Sequence, residues 1–491
     1  MARRFSCDAC IFLGMVAAAL APARAEVTIS SKPSQNMNCV SGVCTPTAKD
    51  AILNANDLTT MLASGNVEVN TGSGALAKKI EDIVVSDGFS WASSNSLTLD
   101  AYRSIVVDKA VSDAGSGAVA LTTDDGGSLG TLSFGPKGSL SFLSPSNSLT
   151  VNGNVYTLAN SVPSLAADIA ANPSGFYALS ASYDAKQDGA YSASPVATTF
   201  AGNFNGLGNS VSHLSIRTKA RSVNLGLFAD VGSTGRVSSI RVTSATILAS
   251  VDSYVGIIAG INSGTVFNST AAGSIKAGSG KIISIVGGLV GYNEGVIDET
   301  SASVMVNVGG NSSQYLTYAG GLNGANIGTI SASYATGGAI ASNGIGRADS
   351  GGLIGYSNGT VDNCYATGAA NIGTSTGAGG LIGFSGYTVT SSYSTGVPTG
   401  SGGAVGGSMG FDVSGSDEEG GVVSNVYWDT TTSGITNLSQ GAGNIANDPG
   451  ITGETSVQLQ AGLPAGFDPT IWAENPAINN GLPYLIANPP Q

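Results

Sequence analysis

From Leu227 onward the chain repeats one pattern of apolar and polar positions. An apolar residue follows glycine at Leu227, Ile257, Leu289, Leu322, Leu353 and Leu381, with Ser408 a degenerate seventh, at intervals of 27 to 33 residues. In the second half of each unit a β-branched residue recurs at Val237, Val266, Ile297, Ile330, Val361, Val389 and Val423. Three places on stands a small or apolar residue: Ile240, Ser269, Thr300, Ser333, Cys364, Ser392 and Val426. Two places beyond that, five copies have Ala271, Ala302, Ala335, Ala366 or Ser394. Inward positions spaced three and then two predict a strand with a bend in it, because a helix would recur at three and four over longer stretches. Glycine and Asn-Gly between these strands mark corners, where positive φ costs glycine little. Strands stacked once per repeat, with corners rather than helices between them, predict a parallel β-helix, right-handed by the crossover rule. Seven units at ~4.8 Å per rung span roughly 34 Å of axis.

Before residue 160 the phrase is absent, yet "SLTLDAYRSIVVDKAV", "GAVALTTDDG", "GTLSFGPKGSLSFL" and "SLTVNGNVYTL" alternate apolar and polar residues between glycine or serine corners. They read as shorter, more irregular coils of the same solenoid. One helix is predicted over Pro163 to Gly175, "PSLAADIAANPSG", with a Pro-Ser start and a Pro-Gly stop. After Trp428 the repeat ends and a tail rich in Pro and bulky aromatics follows. An open solenoid end is an unpaired strand edge, so this tail is the candidate cap. The expected fold is thus all-β: a right-handed parallel β-helix with one short helix and an irregular C-terminal cap. Its expected parts are a leader over 1–25, irregular coils over 26–160, a connecting segment with the helix over 161–220, the repeats over 221–430 and the cap over 431–491.

The leader changes where the chain is expected to work. Arg3 and Arg4 precede a short apolar stretch from Cys10 to Leu20, and Ala23-Arg24-Ala25 gives a small-residue cleavage site before Glu26. That pattern is a secretory signal peptide, too short to span a membrane. No later apolar run reaches spanning length, so the expected destination is the medium or the cell surface, by way of the periplasm, without membrane insertion. The net charge is −13, with no basic run to meet nucleic acid or an anionic membrane. A hydrophobic fraction of 42% with only 10% charged residues argues against disorder. Of the cysteines beyond the leader, Cys39 and Cys44 bracket four residues and are the candidate disulfide in an exported chain. Cys364 is left over.

The copies from Val255 to Gly396, best at "GGLIGYSNGTVDNCYATG", resemble the GLUG motif of bacterial exported repeat proteins. "TTFAGNFNGLGNSVSHLSI" (198–216) and "NLGLFADVG" (224–232) resemble the segment that introduces such repeats in filamentous-haemagglutinin-like proteins. "YWDTTTSG" (427–434) and "NNGLPYL" (479–485) resemble the usual end of such arrays. The resemblance extends over roughly residues 150 to 485, and more loosely over 39 to 150. It implies the β-helical passenger of an adhesin. The chain departs from the large adhesins in having neither the Asn-Pro-Asn motif of a two-partner secretion domain nor a C-terminal barrel.

Candidate chemistry is sparse, and no catalytic residue, metal site or cofactor is assigned. Asp298 and Asp362 share a column two rungs, about 9.6 Å, apart, a separation an inverting glycosidase could use. The column points outward, where an aspartate is solvated. "SDEEG" (416–420) lacks the alternating ligand spacing of a calcium loop. His213, the sole histidine, has no nucleophile motif around it. Cys364 falls in the small inward column and reads as a buried small hydrophobe. The column with a functional claim is aromatic: Tyr334, Tyr365, Tyr393 and Tyr427 each follow an inward residue by one place and should face outward, one rung apart. Exposed stacked tyrosines would offer ring faces to sugars or to a surface protein. The function expected is non-catalytic, adhesin-like binding of glycan or a surface partner through one face of the solenoid. A β-helical polysaccharide lyase or hydrolase, and a purely structural passenger, are the alternatives.

Overall fold

The computed structural model describes residues 25–74, 78–250, 253–278, 283–309, 316–342, 346–373, 376–414 and 420–490. Of the expected leader only Ala25 falls within these, and of "SDEEG" only Gly420. The chain is an all-β parallel solenoid of about 11 turns.

Residues 25 to 151 wind into a first solenoid with three walls. One wall stacks Ala51–Asn54, Ala25–Ser30, Ile80–Val85, Ile105–Val107 and Leu132–Phe134. A second stacks Phe89–Trp91, Ala110–Asp113 and Ser139–Phe142, and a third runs from Val43–Pro46 to Ser148–Val151. The alternation read in the sequence places Val111, Leu140, Val119, Leu121 and Leu149 inside. Helix α1 (Ala55–Ser64) follows the edge strand Ala51–Asn54 and seats Leu58 and Leu62 in this core. Its start is set by Asn54, whose side-chain oxygen accepts from the Asn56 and Asp57 amides. No helix was expected here. The Cys39 and Cys44 sulfurs are joined across the hairpin of Met37–Val40 and Val43–Pro46.

At Asn152-Gly153 the chain reverses. Both residues have positive φ (49° and 77°), the conformation a two-residue hairpin turn demands, and Val151 pairs antiparallel with Asn154. The strand Asn154–Ala159 then opens a second solenoid. Helix α2 (Val162–Ala171) begins one residue before the predicted span and ends four residues short of its end, its start fixed by a Ser161–Ser164 capping box and a proline in its first turn. Residues 161–220, read from the sequence as a connecting segment, also supply coil: Phe176–Leu179 and Asn203–Asn205 lead directly into Arg236–Ser238.

The repeats form three walls. Seven strands from Asn224–Leu225 to Ala404–Gly406 make the first, and seven from Phe228–Val231 to Met409–Asp412 the second. The third carries the β-branched column, with Val237, Val266, Ile297, Ile330, Val361, Val389 and Val423 paired rung on rung. All but the half-buried Val423 are fully buried, as are all seven residues of the column three places on. The bend between these columns is a left-handed residue in every copy: Ser239, Asn268, Glu299, Ala332, Asn363, Ser391 and Asn425. The corner glycines answer a different need from the expected one. Those before the apolar markers do not have positive φ. Instead, a Cβ on Gly288, Gly321 or Gly352 would stand 2.1 to 2.2 Å from the carbonyl oxygen of the next rung. Asn262, Asn293 and Asn326 stack inside the corner between second and third walls, each amide donating at 2.8 Å to the next asparagine, or at 3.3 Å to Ser357.

The first solenoid's last turns abut the flank of the second. Arg241 donates to the Gly138 and Gly135 carbonyls at 3.0 and 2.5 Å, the Phe142 amide to Ser180 at 2.7 Å, and the Phe134 amide to the Asn268 side chain at 3.2 Å. The tail caps the end only with its first part, where Ile451–Glu454 pairs with Val423–Asp429. Beyond Thr455, helix α3 (Ser456–Leu459) and the residues to 490 turn back and run along the outside of the third wall.

Candidate functional site

The tyrosine column projects outward from the third wall as the spacing requires, and its rings stack: Tyr334 on Tyr365 at 4.7 Å, Tyr365 on Tyr393 at 5.1 Å. It is not exposed. Tyr334, Tyr365, Tyr393 and Tyr427 are between 0 and 6% accessible, because the returning tail lies over them. Leu459, Phe467, Trp472, Leu482 and Leu485 pack on the rings as a third core. The hydroxyls anchor this strap: Tyr393 donates to the Pro483 carbonyl at 2.7 Å and Tyr427 to that of Ala465 at 2.9 Å. Trp472 Nε1 donates to Asn363 Oδ1 at 2.8 Å, and the Asn488 amide to the carbonyls of Thr300 and Ala332 at 2.9 and 3.2 Å. Burial pushes the Tyr365 and Tyr393 hydroxyls far above the usual range. The expectation of exposed ring faces is therefore corrected: local spacing sets which way a side chain points, but a segment up to 155 residues away decides what covers it.

Asp298 and Asp362 do not stand simply in water. Ser331 donates to Asp298 at 2.8 Å, and Thr390 and Asn363 to Asp362 at 2.5 and 2.7 Å. Burial raises the Asp298 carboxyl above its ordinary value. Cys364 is wholly buried, its Sγ 3.2 Å from the Asp362 carbonyl, and burial pushes its thiol up, away from the reactive thiolate. His213 occupies a left-handed bend on the surface, its Nδ1 2.9 Å from Asp184 Oδ1.

A second aromatic column remains partly open to solvent. The third residue after each of the last five markers is Tyr292, Ala325, Tyr356, Phe384 or Phe411, and these stand in register along the second wall. The corner between first and second walls folds outward, since the glycines one place earlier approach the first wall's backbone. A Cβ on Gly355 would lie 2.7 Å from the Ala319 amide nitrogen. Facing rings meet across this concave corner: Tyr254 with Tyr292 at 5.5 Å and Tyr318 with Tyr356 at 4.9 Å. The stack continues along the axis from Tyr356 to Phe384 at 5.2 Å and to Phe411 at 5.5 Å. The Arg347 guanidinium lies 4.0 Å over the Phe384 ring and 5.4 Å from that of Tyr356. Its Nε donates to Asp349 at 2.7 Å, and burial still holds that carboxyl up at about 6. Tyr254, Tyr292, Tyr356, Phe384 and Phe411 are half-buried. The signal was present in the sequence as an aromatic at a fixed place after the marker, best seen in "LIGYSNG" and "LIGFSGY".

Together these features define a repeat-built β-solenoid with a sealed ladder on one wall and an aromatic groove on another. No family model matches the chain. A stretch of 108 residues, 21% of the chain, is 39% identical to halomucin of Haloquadratum walsbyi, and the match spans 1% of that protein's length. No solved structure matches.

Proposed function

We propose that the chain is an exported, non-catalytic protein of the adhesin-like type, binding glycan or a surface partner along the groove between the first and second walls. The observation that carries this reading is the half-exposed run of Tyr292, Tyr356, Phe384 and Phe411. A column of rings, one rung apart from Tyr356 to Phe411 with Tyr292 two rungs before, matches a ligand that itself extends along the axis, and the strap lies on a different wall. The GLUG-type phrase and the leader pattern support export and the haemagglutinin-like kinship. The likeness to halomucin covers too little of either chain to add weight. The test is a glycan array probed with the purified chain from residue 26. Each of Tyr356→Ala and Phe384→Ala should weaken binding about 3- to 10-fold, the effect of removing one stacking contact of roughly 0.5–1.5 kcal/mol. An array that stays silent, or binding that both variants leave unchanged, rejects the groove and leaves a structural passenger.

A further inference from the structure

A further cavity lies away from that groove. A cleft of about 800 Å³ opens where the first solenoid, the third wall of the second and the strap meet, and no motif in the sequence pointed to it. Its size is that of a pocket for a small organic ligand. The first solenoid contributes Asp108 and Phe134, the left-handed bend contributes Glu299, and the strap contributes Thr470 and Ile486. The Asp108 and Glu299 carboxyls make no side-chain hydrogen bond to the described residues, although both line the cleft. Part-burial raises each above its ordinary value, Glu299 to about 7 with help from neighbouring Asp298. Both residues are half-buried, so their carboxyls stay within reach of water, and a ligand hydroxyl in the cleft would take the place of that water as donor.

The lining also says what the ligand is not. The cleft's arginine, Arg103, is already held by Asp82 through its Nε at 2.9 Å and its terminal nitrogen, and by Glu81 at 3.5 Å, which leaves it a poor anchor for an anion. No group of three metal-ligating side chains gathers among the described residues. What remains is a set of acceptors and hydroxyls beside apolar surface from the exposed Ile486, the complement of a ring bearing hydroxyl donors on its edge and C–H groups on its face. We propose that this junction cleft is a second binding site, independent of the aromatic groove, for a short neutral carbohydrate, with Asp108 and Glu299 taking its hydroxyl hydrogen bonds.

The experiment titrates the chain from residue 26 with neutral disaccharides of glucose, galactose, mannose and N-acetylglucosamine, followed by calorimetry and by protein-observed NMR. At least one should bind saturably, and Glu299→Ala or Asp108→Ala should weaken it tenfold or more. Phe384→Ala, in the groove, should leave that affinity unchanged, so failure here and failure of the groove reading are told apart. Because the acidic variants could disturb the junction, Thr131→Trp provides a second route: Thr131 lines the cleft from an exposed position, and a bulky ring there should block the sugar without touching a core. Absence of saturable binding to all four probes, or binding indifferent to Thr131→Trp and to both carboxylate variants, overturns the proposal. Release of a new reducing end from a probe, lost in Glu299→Ala, would uphold the cleft as the sugar site and overturn the non-catalytic reading instead.

Discussion

A left-handed residue at every bend breaks the rung-to-rung backbone ladder, and single side chains repair it. Ser269, Ser333 and Ser392 accept the backbone amides of Ile240, Thr300 and Cys364 from the rung before, at 3.0 to 3.3 Å. Each then donates to the carbonyl two residues upstream at 2.6 or 2.7 Å. Where the buried column carries serine, the hydroxyl is there because those amides would otherwise have no partner. Ser392→Ala should therefore cost about 1–3 kcal/mol, the penalty of a buried donor left unsatisfied. Ser392→Thr should recover most of it, since Thr300 occupies the same column with its hydroxyl 3.1 Å from Ser333. Equilibrium denaturant melts check both, and an alanine variant as stable as the parent would show that the amide finds another acceptor. Gly352→Ala should be worse than Ser392→Ala in the same melts: its Cβ would meet backbone, the Gly380 carbonyl at 2.2 Å, which cannot move aside as a flexible side chain could.

At the scale of elements the strap is the part with the largest consequence. It covers four tyrosines whose rings point away from the solenoid interior, and Trp472 stands nearly sealed between Tyr365, Tyr393 and Phe467, at ring distances of 6.1, 6.0 and 4.6 Å. Trp472→Ala should cost about 3–5 kcal/mol. Deleting residues 456–490 should leave the far-UV circular dichroism of the solenoid while the chain gains binding of a hydrophobic dye and loses near-UV signal. A truncated chain that melts with the parent and binds no dye would mean that the strap does not shield the ladder. The same element shows where the sequence stops being legible. Columns within the repeat could be read because each copy must fit the one beneath it, so Val361, Cys364 and Ala366 declared themselves core. The strap has no period, and only long-range contacts fix its course. Helix α1 was missed for a local reason: its buried stripe is Ala55, Leu58 and Leu62, too short to stand out among alternating strands, although Asn54 supplies a proper start. The groove aromatics were periodic, yet their meaning depends on the outward fold of a corner that close glycine contacts create.

For the molecule as a whole, acidity and burial combine into a pH dependence of stability. Glu299 is raised to about 7, Asp349 and Asp412 to about 6, and Asp298 also upward, each first of all by burial. Asp412 shares a hydrogen bond with Asp448 at the end of the asparagine and serine stack, and like charge adds to its rise. An acid whose folded value is raised binds its proton more tightly in the native state. Its contribution to stability is complete below the unfolded value near 4 and is lost as pH climbs through 6 to 7. The groups shifted the other way, Asp87, Asp184 and Asp468, lie at the surface and contribute above pH 4, so they oppose this only in acid. The melting temperature should thus be higher at pH 5.5 than at pH 8, a comparison that stays above the isoelectric point near 4.4. Self-repulsion of a chain carrying −13 would drive the same trend, but salt separates the two causes. Repulsion between surface charges fades at 0.5 M salt, where the screening length is only a few ångströms, whereas the cost of ionising a buried carboxyl does not. The pH 5.5 advantage should therefore survive high salt and shrink in Asp412→Asn, which removes one buried ionisation. An advantage abolished by salt and indifferent to that substitution would assign the effect to net charge and acquit the buried acids.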